Sequence, residues 1–166
     1  QHIGTWDAAS KTCTITEDVT ADSSDAIIIG SDGITLQGDV NIQGVTTNYS
    51  YFGIFVDGKS NITLKDFNLL DFKYGVMAKN TDTLTIRDVT SDNVGWNVVN
   101  YQVHNSNNVI LDNLVSTSNN LCYGQNYGCE SEFFITNTNN VLFQDSTFGT
   151  IKIGNSHDVE LSNVRV

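Results

Sequence analysis

A short segment of alternating apolar and polar residues recurs along this chain. Its six copies occupy residues 33–38, 61–66, 83–88, 108–113, 140–145 and 158–163. Alternation with a period of two residues is typical of a β-strand with one buried face. Self-similar segments at roughly this spacing indicate a solenoid, in which each coil buries its apolar face by stacking on its neighbours.

Two apolar positions in every copy predict the core of the solenoid. The first position holds Ile34, Ile62, Leu84, Val109, Val141 and Val159, and the second holds Leu36, Leu64, Ile86, Leu111, Phe143 and Leu161. The residue between them is polar except at Ile110 and Leu142, so we expect it to point outward. A shift by one residue would expose every apolar side chain, which specifies the register strongly.

A bend is predicted two positions after the second apolar residue of each copy. The residues there are Gly38, Asp66, Asp88, Asn113, Asp145 and Asn163. Glycine, asparagine and aspartate tolerate left-handed backbone, and a second short strand follows each of them. We therefore predict an all-β, single-stranded parallel β-helix of about six to seven coils. It forms one domain over 1–166, with an N-terminal cap and first coil at 1–32 and repeat coils at 33–166.

The segments NITLKDFNLLDF and DTLTIRDVTSDN, together with the opening GTWDAASKTCTITEDV, resemble a known family. They are similar to right-handed parallel β-helix repeats of the pectin-lyase-like superfamily. Within it they resemble the carbohydrate-binding and sugar-hydrolase repeat group and the related periplasmic copper-maturation proteins. The resemblance covers nearly the whole chain and implies a right-handed coil. It implies no single activity, because lyases, hydrolases, epimerases and inert surface modules share this fold.

Composition narrows the classes of partner. The chain of 166 residues carries 19 acidic and 8 basic residues, a formal net charge of −11. This charge argues against nucleic acid, which needs a basic surface, and against tight unaided binding of polyanions. Neutral glycans or divalent cations are more compatible partners. The sequence has no apolar run long enough to span a membrane and no signal peptide, which fits a secreted chain processed at Gln1.

The three cysteines are used unequally. Cys122 and Cys129 frame six residues inside the longest insertion, and they predict a disulfide that fixes a protruding loop. The pair lacks the histidine or second cysteine pair of a zinc site. Cys13 is left over, either as a buried thiol or as a cysteine whose partner lies in another chain or is lost. The disulfide and the fold favour an extracellular or cell-surface location.

The catalytic candidates are few. Lys65 and Arg87 fall in one outward column on successive coils, roughly 4.8 Å apart along the stack, and Asp112 follows them. Such a group could serve a polysaccharide lyase, although a column of this kind is more often a solvated surface. The carboxylates at Asp66 and Asp88 are explained by the bend. No outward carboxylate pair of the glycosidase kind is evident, so we lean against an enzyme.

Two insertions in neighbouring coils, 95–101 and 122–132, are rich in aromatic and acidic residues. Rings can stack on sugar faces, while carboxylates bind hydroxyls, so the two loops together predict a ligand-binding pocket. The alternative is that the rings cover the edge of the core or pack on the disulfide. The predicted ligand contacts are Trp96, Tyr101, Tyr123, Tyr127, Glu130 and Glu132.

No cofactor is required by the sequence. His2, His104 and His157 lie in different coils, so they predict no metal site. Calcium is possible where acidic residues cluster, since it takes carboxylate oxygens. The two candidate clusters are Asp22, Asp25 and Asp32 near the cap and Glu130 and Glu132 in the second insertion.

These observations favour an extracellular, non-catalytic β-helix module that binds a glycan or builds a surface structure. The strand pattern at Val164–Val166 has no cap after it and leaves Leu161 at an open end, so we expect either a further domain or another subunit to cover this coil. A second hypothesis is therefore a subunit that stacks head-to-tail into a filament or surface layer. A third hypothesis is a polysaccharide lyase or glycoside hydrolase.

Overall fold

The computed structural model describes residues 3–22, 24–45, 51–92, 98–116 and 133–166. These residues form strands and connecting turns, and no helix lies within them. The strands are β1 Gly4–Asp7, β2 Thr12–Ile15, β3 Val19–Ala21, β4 Ile27–Ile29, β5 Thr35–Gly44, β6 Phe52–Asp57, β7 Ser60–Leu70, β8 Tyr74–Lys79, β9 Asp82–Asp92, β10 Val99–His104, β11 Asn107–Ser116, β12 Phe133–Thr136, β13 Asn139–Gln144, β14 Ile151–Gly154 and β15 His157–Ser162.

The strands alternate along the chain between two sheets. The first sheet has the order β1-β2-β5-β7-β9-β11-β13-β15, with β3 also paired to β5, and the second has the order β14-β12-β10-β8-β6-β4. The described strand pairs are parallel, apart from the antiparallel hairpin of β1 and β2 at the N-terminal end. Alternation between two parallel sheets is the architecture of a β-helix, so the predicted fold is confirmed.

The predicted core column is confirmed residue by residue. Leu36, Leu64, Ile86, Leu111, Phe143 and Leu161 are consecutive register partners in the first sheet. Leu64, Ile86, Leu111 and Phe143 are each 0% exposed. Leu161, on the last strand, is 50% exposed because no further coil covers it among the described residues. Head-to-tail stacking on this coil stays a prediction.

The solenoid has about four turns, fewer than the six to seven coils that the repeat predicts. Only β5, β7, β9 and β11 are long strands of 10 or 11 residues that pass through the bend. The last strand, β15, has only 6 residues and the strands near the N-terminus have 3 or 4. The sequence repeat counts the coils with short strands at the two ends as full coils, so it predicts more turns than the structure has.

The bend prediction is confirmed for most copies. Asp66, Asp88, Asn113, Asp145 and Asn163 have left-handed backbone with φ between 49° and 65°. Two further left-handed columns turn each coil, one containing Asn61, Asn108 and Asn140 and the other Asn80, Asn105 and Asn137. Side-chain amides bind along these columns; Asn137 donates to Asn105 at 3.1 Å and Asn113 donates to Asp88 at 2.8 Å. Asparagine and aspartate therefore serve both the corner and the contact between coils.

Candidate functional site

The first sheet carries the outward polar column expected from the sequence. Lys65, Arg87 and Asp112 are register partners on β7, β9 and β11. Gln37 and Gln144 continue the column on β5 and β13. Lys65 forms an ion pair with Asp66 at 3.5 Å, and both side chains are partly exposed, so this pair adds little stability. The column is confirmed, whereas its catalytic role stays a hypothesis.

Most of the predicted ligand contacts lie outside the described residues. These are Trp96, Tyr123, Tyr127, Glu130 and Glu132, and the predicted disulfide partners Cys122 and Cys129 lie there too. In the sequence, the first insertion runs into β10 and the second precedes β12, and these two strands are neighbours in the second sheet. The ligand role of the undescribed residues and the disulfide stay predictions.

Tyr101 is a core residue, and its predicted contact with a ligand is wrong. Its side chain is 0% exposed, and its hydroxyl donates a hydrogen bond to the carbonyl of Val89 at 2.8 Å. Its ring stacks on Phe133 with 4.9 Å between centroids, and burial raises the pKa of its hydroxyl well above the ordinary value. The alternation Val99, Tyr101, Val103 along β10 points these three side chains inward.

The outward side of the second sheet holds a column that sequence reasoning missed. Its members follow one another in register, one on each strand from β4 to β14, and we call them the aromatic column. They are Ile28, Phe55, Met77, Gln102, Phe134 and Lys152. Several strands of this sheet carry a large apolar residue outward as well as inward, so their alternation is faint. The signal was the large residue between two inward aliphatic residues, such as Phe55 between Ile54 and Val56.

Lysines lie over the outward rings. The ammonium of Lys79 is 5.4 Å from the centroid of Phe55, and that of Lys152 is 5.3 Å from the centroid of Phe134. At the start of β8, the ammonium of Lys73 is 5.6 Å from the centroid of Tyr74. Such contacts are cation–π interactions. This face therefore combines positive charge and aromatic surface, although the whole chain is strongly acidic.

A row of polar residues borders the aromatic column. Asp57, Lys79, His104 and Thr136 are register partners on β6, β8, β10 and β12. Lys79 forms an ion pair with Asp57 at 3.1 Å, and His104 Nδ1 is hydrogen-bonded to Thr136 Oγ1. The bonds to Asn80 and Lys79 lower the pKa of the Asp57 carboxyl. These contacts fix the charged groups on this side of the rings.

Gln102 occupies the centre of the aromatic column. Its side-chain carbonyl oxygen is buried and has no hydrogen-bond partner among the described residues. A buried acceptor without a partner is costly, and each such group in a folded protein calls for an explanation.

We expect His104 to make the stability of the fold depend on acid pH. Burial, together with the charge of Lys79, lowers its pKa from the ordinary value of 6.5. The unfolded chain then binds a proton at a pH where the folded chain does not. The free energy of unfolding should therefore decrease as the pH falls below about 6.5, until the folded imidazole is also protonated. Urea denaturation across pH 4.5–8 should show a smaller decrease for His104→Gln. His157→Gln, at an exposed histidine, should keep the full decrease, and an equal response of the two variants would contradict the assignment.

The calcium cluster predicted near the cap, Asp22, Asp25 and Asp32, gains no geometric support, whereas Glu130 and Glu132 lie outside the described residues and calcium there stays a prediction. Within the described residues, no group of three histidine, cysteine, aspartate or glutamate side chains is placed to hold a metal ion. Asp25 and Asp32 instead accept backbone hydrogen bonds from Phe52 and Ser60, each at 2.9 Å, which join successive coils. Cys13 forms no disulfide among the described residues and is half-buried against the core, so both of its interpretations stay open.

Comparisons with known proteins show the fold class. No protein-family model and no curated protein matches the chain. Among solved structures, it is similar to a candidate glycosyl hydrolase from Parabacteroides merdae, at a TM-score of 0.62 and 10% identity over 92% of this chain and 76% of the other. It is also similar to the Streptococcus pneumoniae surface protein and adhesin PfbA, at a TM-score of 0.69 and 13% identity over 91% of this chain and 52% of the other.

The chain thus spans about half the length of the adhesin structure. At these identities the similarity shows the fold alone. It places the chain among parallel β-helix proteins and leaves membership of the pectin-lyase-like superfamily unestablished. Across the described residues, no helix is long and apolar enough to cross a membrane.

Proposed function

We propose that this chain is an extracellular or cell-surface β-helix module that binds a glycan on the outward side of its second sheet and does not cleave it. The observation that carries the proposal is the aromatic column with lysines over Phe55 and Phe134. Sugar rings stack on aromatic faces, and ammonium groups bind sugar carboxylates and hydroxyls. One outward side chain per coil gives a repeated surface suited to an extended oligosaccharide.

The charge of this face favours a glycan that carries carboxylate groups. The net charge of −11 argues against such a ligand for the chain as a whole. However, Lys73, Lys79 and Lys152 all lie on or beside the rings of the second sheet, and only Lys79 is paired with a carboxylate among the described contacts. Electrostatic recognition depends on the local surface, so an acidic chain can bind an acidic ligand at a basic face.

Two further observations support this proposal. In the sequence, Trp96 lies shortly before β10, and Tyr123 and Tyr127 lie before β12; both strands carry members of the aromatic column. The structural neighbours are a candidate glycosyl hydrolase and a surface adhesin, and both descriptions are compatible with a glycan-related or surface role.

A glycan array with neutral and uronate-containing oligosaccharides, followed by calorimetry on the ligands found, tests the proposal. Phe134→Ala and Lys152→Ala should each weaken binding by about tenfold, which corresponds to about 1.4 kcal/mol. Ile110→Ala is a matched control, because Ile110 is an exposed apolar residue on the first sheet. Its affinity should equal that of the parent chain.

Other outcomes would move the site or replace the function. Unchanged binding by both second-sheet variants, with loss of binding in Tyr123→Ala and Tyr127→Ala, would place the site in the insertions alone. Lyase and reducing-sugar assays on the same sample test the enzyme hypothesis. Product formation that disappears in Lys65→Ala or Arg87→Ala would replace the proposal with a polysaccharide lyase or hydrolase built on the polar column.

A further inference from the structure

The pairing of β5 with β7 departs from the regular register of the first sheet. Opposite the single bend residue Asp66 of β7, strand β5 has two residues, Gly38 and Asp39, so the register shifts between Gln37 and Val40. The pairing of β7 with β9 shows no such shift, and neither does the pairing of β9 with β11. This extra residue is a local irregularity of the β-bulge kind, and we call it the bulge. Bulges redirect side chains and are frequent beside functional sites.

Gly38 is required for the bulge to pack. A Cβ atom on Gly38 would lie 2.4 Å from the carbonyl oxygen of Ile15 in the neighbouring coil. Real Cβ atoms do not approach a backbone oxygen this closely, so a larger residue would push the coils apart. Gly38 is also the member of the bend column that lacks left-handed backbone. The sequence thus replaces the ordinary one-residue corner with a different structure in this coil.

A cleft of about 450 Å³ opens at the bulge. Four successive coils line it, through β2, β5, β7 and β9, and nearly all of the lining side chains are polar. They are Thr14, Gln37, Asp39, Lys65, Asp66, Asn68 and Asp88, with Gly38 and Phe67 completing the wall. Phe67 is only 2% exposed, so it offers no ring face to a ligand. The volume lies within the usual range for small-molecule sites.

Contacts between coils hold the polar groups of the cleft in place. The amide nitrogen of Gln37 donates to Thr14 Oγ1 at 3.0 Å, and that of Asn68 donates to Asn41 Oδ1 at 3.2 Å. Within β7, the ammonium of Lys65 lies 3.5 Å from Asp66 Oδ2. The remaining lone pairs of these amides and carboxylates are acceptors for hydroxyl groups. Side chains ordered before binding lower the entropic cost of ordering them around a ligand.

We propose that this cleft is a binding site for an uncharged sugar ring, held by hydrogen bonds alone. Asp39, Asp66 and Asp88 outnumber the one cation, Lys65, so the cleft disfavours anions. Its three carboxylates are not among any group of three or more histidine, cysteine, aspartate or glutamate side chains that could hold a metal ion in the described residues. Adjacent hydroxyls of a sugar ring match closely spaced carboxylate, amide and ammonium groups. This site lies on the first sheet and does not depend on the aromatic column of the second.

Saturation-transfer NMR and calorimetry with cellobiose, mannobiose, lactose and diacetylchitobiose test the site. At least one of these uncharged disaccharides should bind. Gln37→Ala and Asp39→Ala should each weaken its binding by at least tenfold. Gln144→Ala is the matched control, because Gln144 occupies the same outward column on β13 but lies outside the cleft. It should bind as the parent chain does, and all three variants should keep the parent's melting temperature within a few degrees.

The two proposed sites can fail separately. Phe134→Ala should leave the binding of the disaccharide unchanged, and Gln37→Ala should leave the binding of an acidic oligosaccharide unchanged. If none of the four disaccharides binds, or if Gln37→Ala and Asp39→Ala bind as well as the parent, the cleft is not a sugar site. Loss of disaccharide binding in Phe134→Ala alone would assign uncharged sugars to the second sheet.

Discussion

Ile86→Asp should abolish the cooperative folding of this chain. Ile86 is 0% exposed and lies in the middle of the core column, with Leu64 and Leu111 as its register partners. A carboxylate there would have apolar neighbours from both adjacent coils. Burying an unpaired charged or polar group costs several kcal/mol or more, which is comparable with the total stability of about 5–15 kcal/mol of a typical domain. Circular dichroism during heating should show no cooperative transition.

The neighbouring residue provides the control for this prediction. Arg87 points outward from β9, so Arg87→Asp should fold with nearly the parent's melting temperature. Ile86→Val, which removes one methylene, should cost only about 0.5–1.5 kcal/mol. A soluble Ile86→Asp chain that unfolds cooperatively near the parent's melting temperature would falsify the register on which the whole fold assignment depends.

The repeat predicted the first sheet well because its chemistry is asymmetric. Inward positions such as Leu64 and Ile86 are aliphatic, while the outward residues between them, Thr63 and Thr85, are polar. Each bend also needs a residue that accepts left-handed backbone, which restricts that position to few residue types. Pattern and physical requirement therefore agree at each coil, and a short sequence segment suffices to set the register.

The second sheet is harder to predict because its outward face carries large apolar residues beside polar ones. In β6, Ile54 and Val56 point inward while Phe55 points outward, so the alternation in hydrophobicity almost disappears. In β10 the sequence pattern does not distinguish the inward Tyr101 from a ligand contact, because aromatic residues both fill cores and stack on ligands. Its hydroxyl reaches the carbonyl of Val89 in the first sheet, a long-range contact that sequence spacing does not reveal.

The bulge at Gly38 illustrates a different limit. The repeat predicts Gly38 to be a bend residue equivalent to Asp66. However, Gln37 pairs with Lys65 and Val40 pairs with Phe67, which requires an additional residue on β5. A one-residue insertion at a bend changes neither the apolar columns nor the composition. It becomes visible only through the register between neighbouring coils, and the cleft that it opens could not be expected from the repeat alone.

Tyr101→Ala should be among the most destabilising substitutions that leave the charge of the chain unchanged. The ring fills the core between the two sheets and packs on Phe133, and the hydroxyl is bonded to Val89 and, at 3.3 Å, to Val115. Truncating a buried aromatic residue removes these contacts and leaves a cavity, which typically costs about 3–5 kcal/mol. Urea denaturation should show this loss in the free energy of unfolding. Tyr101→Phe keeps the ring and should lose only about 1–3 kcal/mol from the unpaired carbonyls.

The same pair of variants separates the core role of Tyr101 from the ligand role first assigned to it. Because Tyr101 has no exposed surface, Tyr101→Phe should bind any glycan found on the array with the parent's affinity. Tyr74→Ala is a useful comparison, since Tyr74 is a partly exposed aromatic residue at the start of β8 with Lys73 beside its ring. In Tyr74→Ala, the loss in the free energy of glycan binding should exceed the loss in the free energy of unfolding. If Tyr101→Ala folds with the parent's stability but loses glycan binding, Tyr101 faces the ligand and the inward register of β10 is wrong.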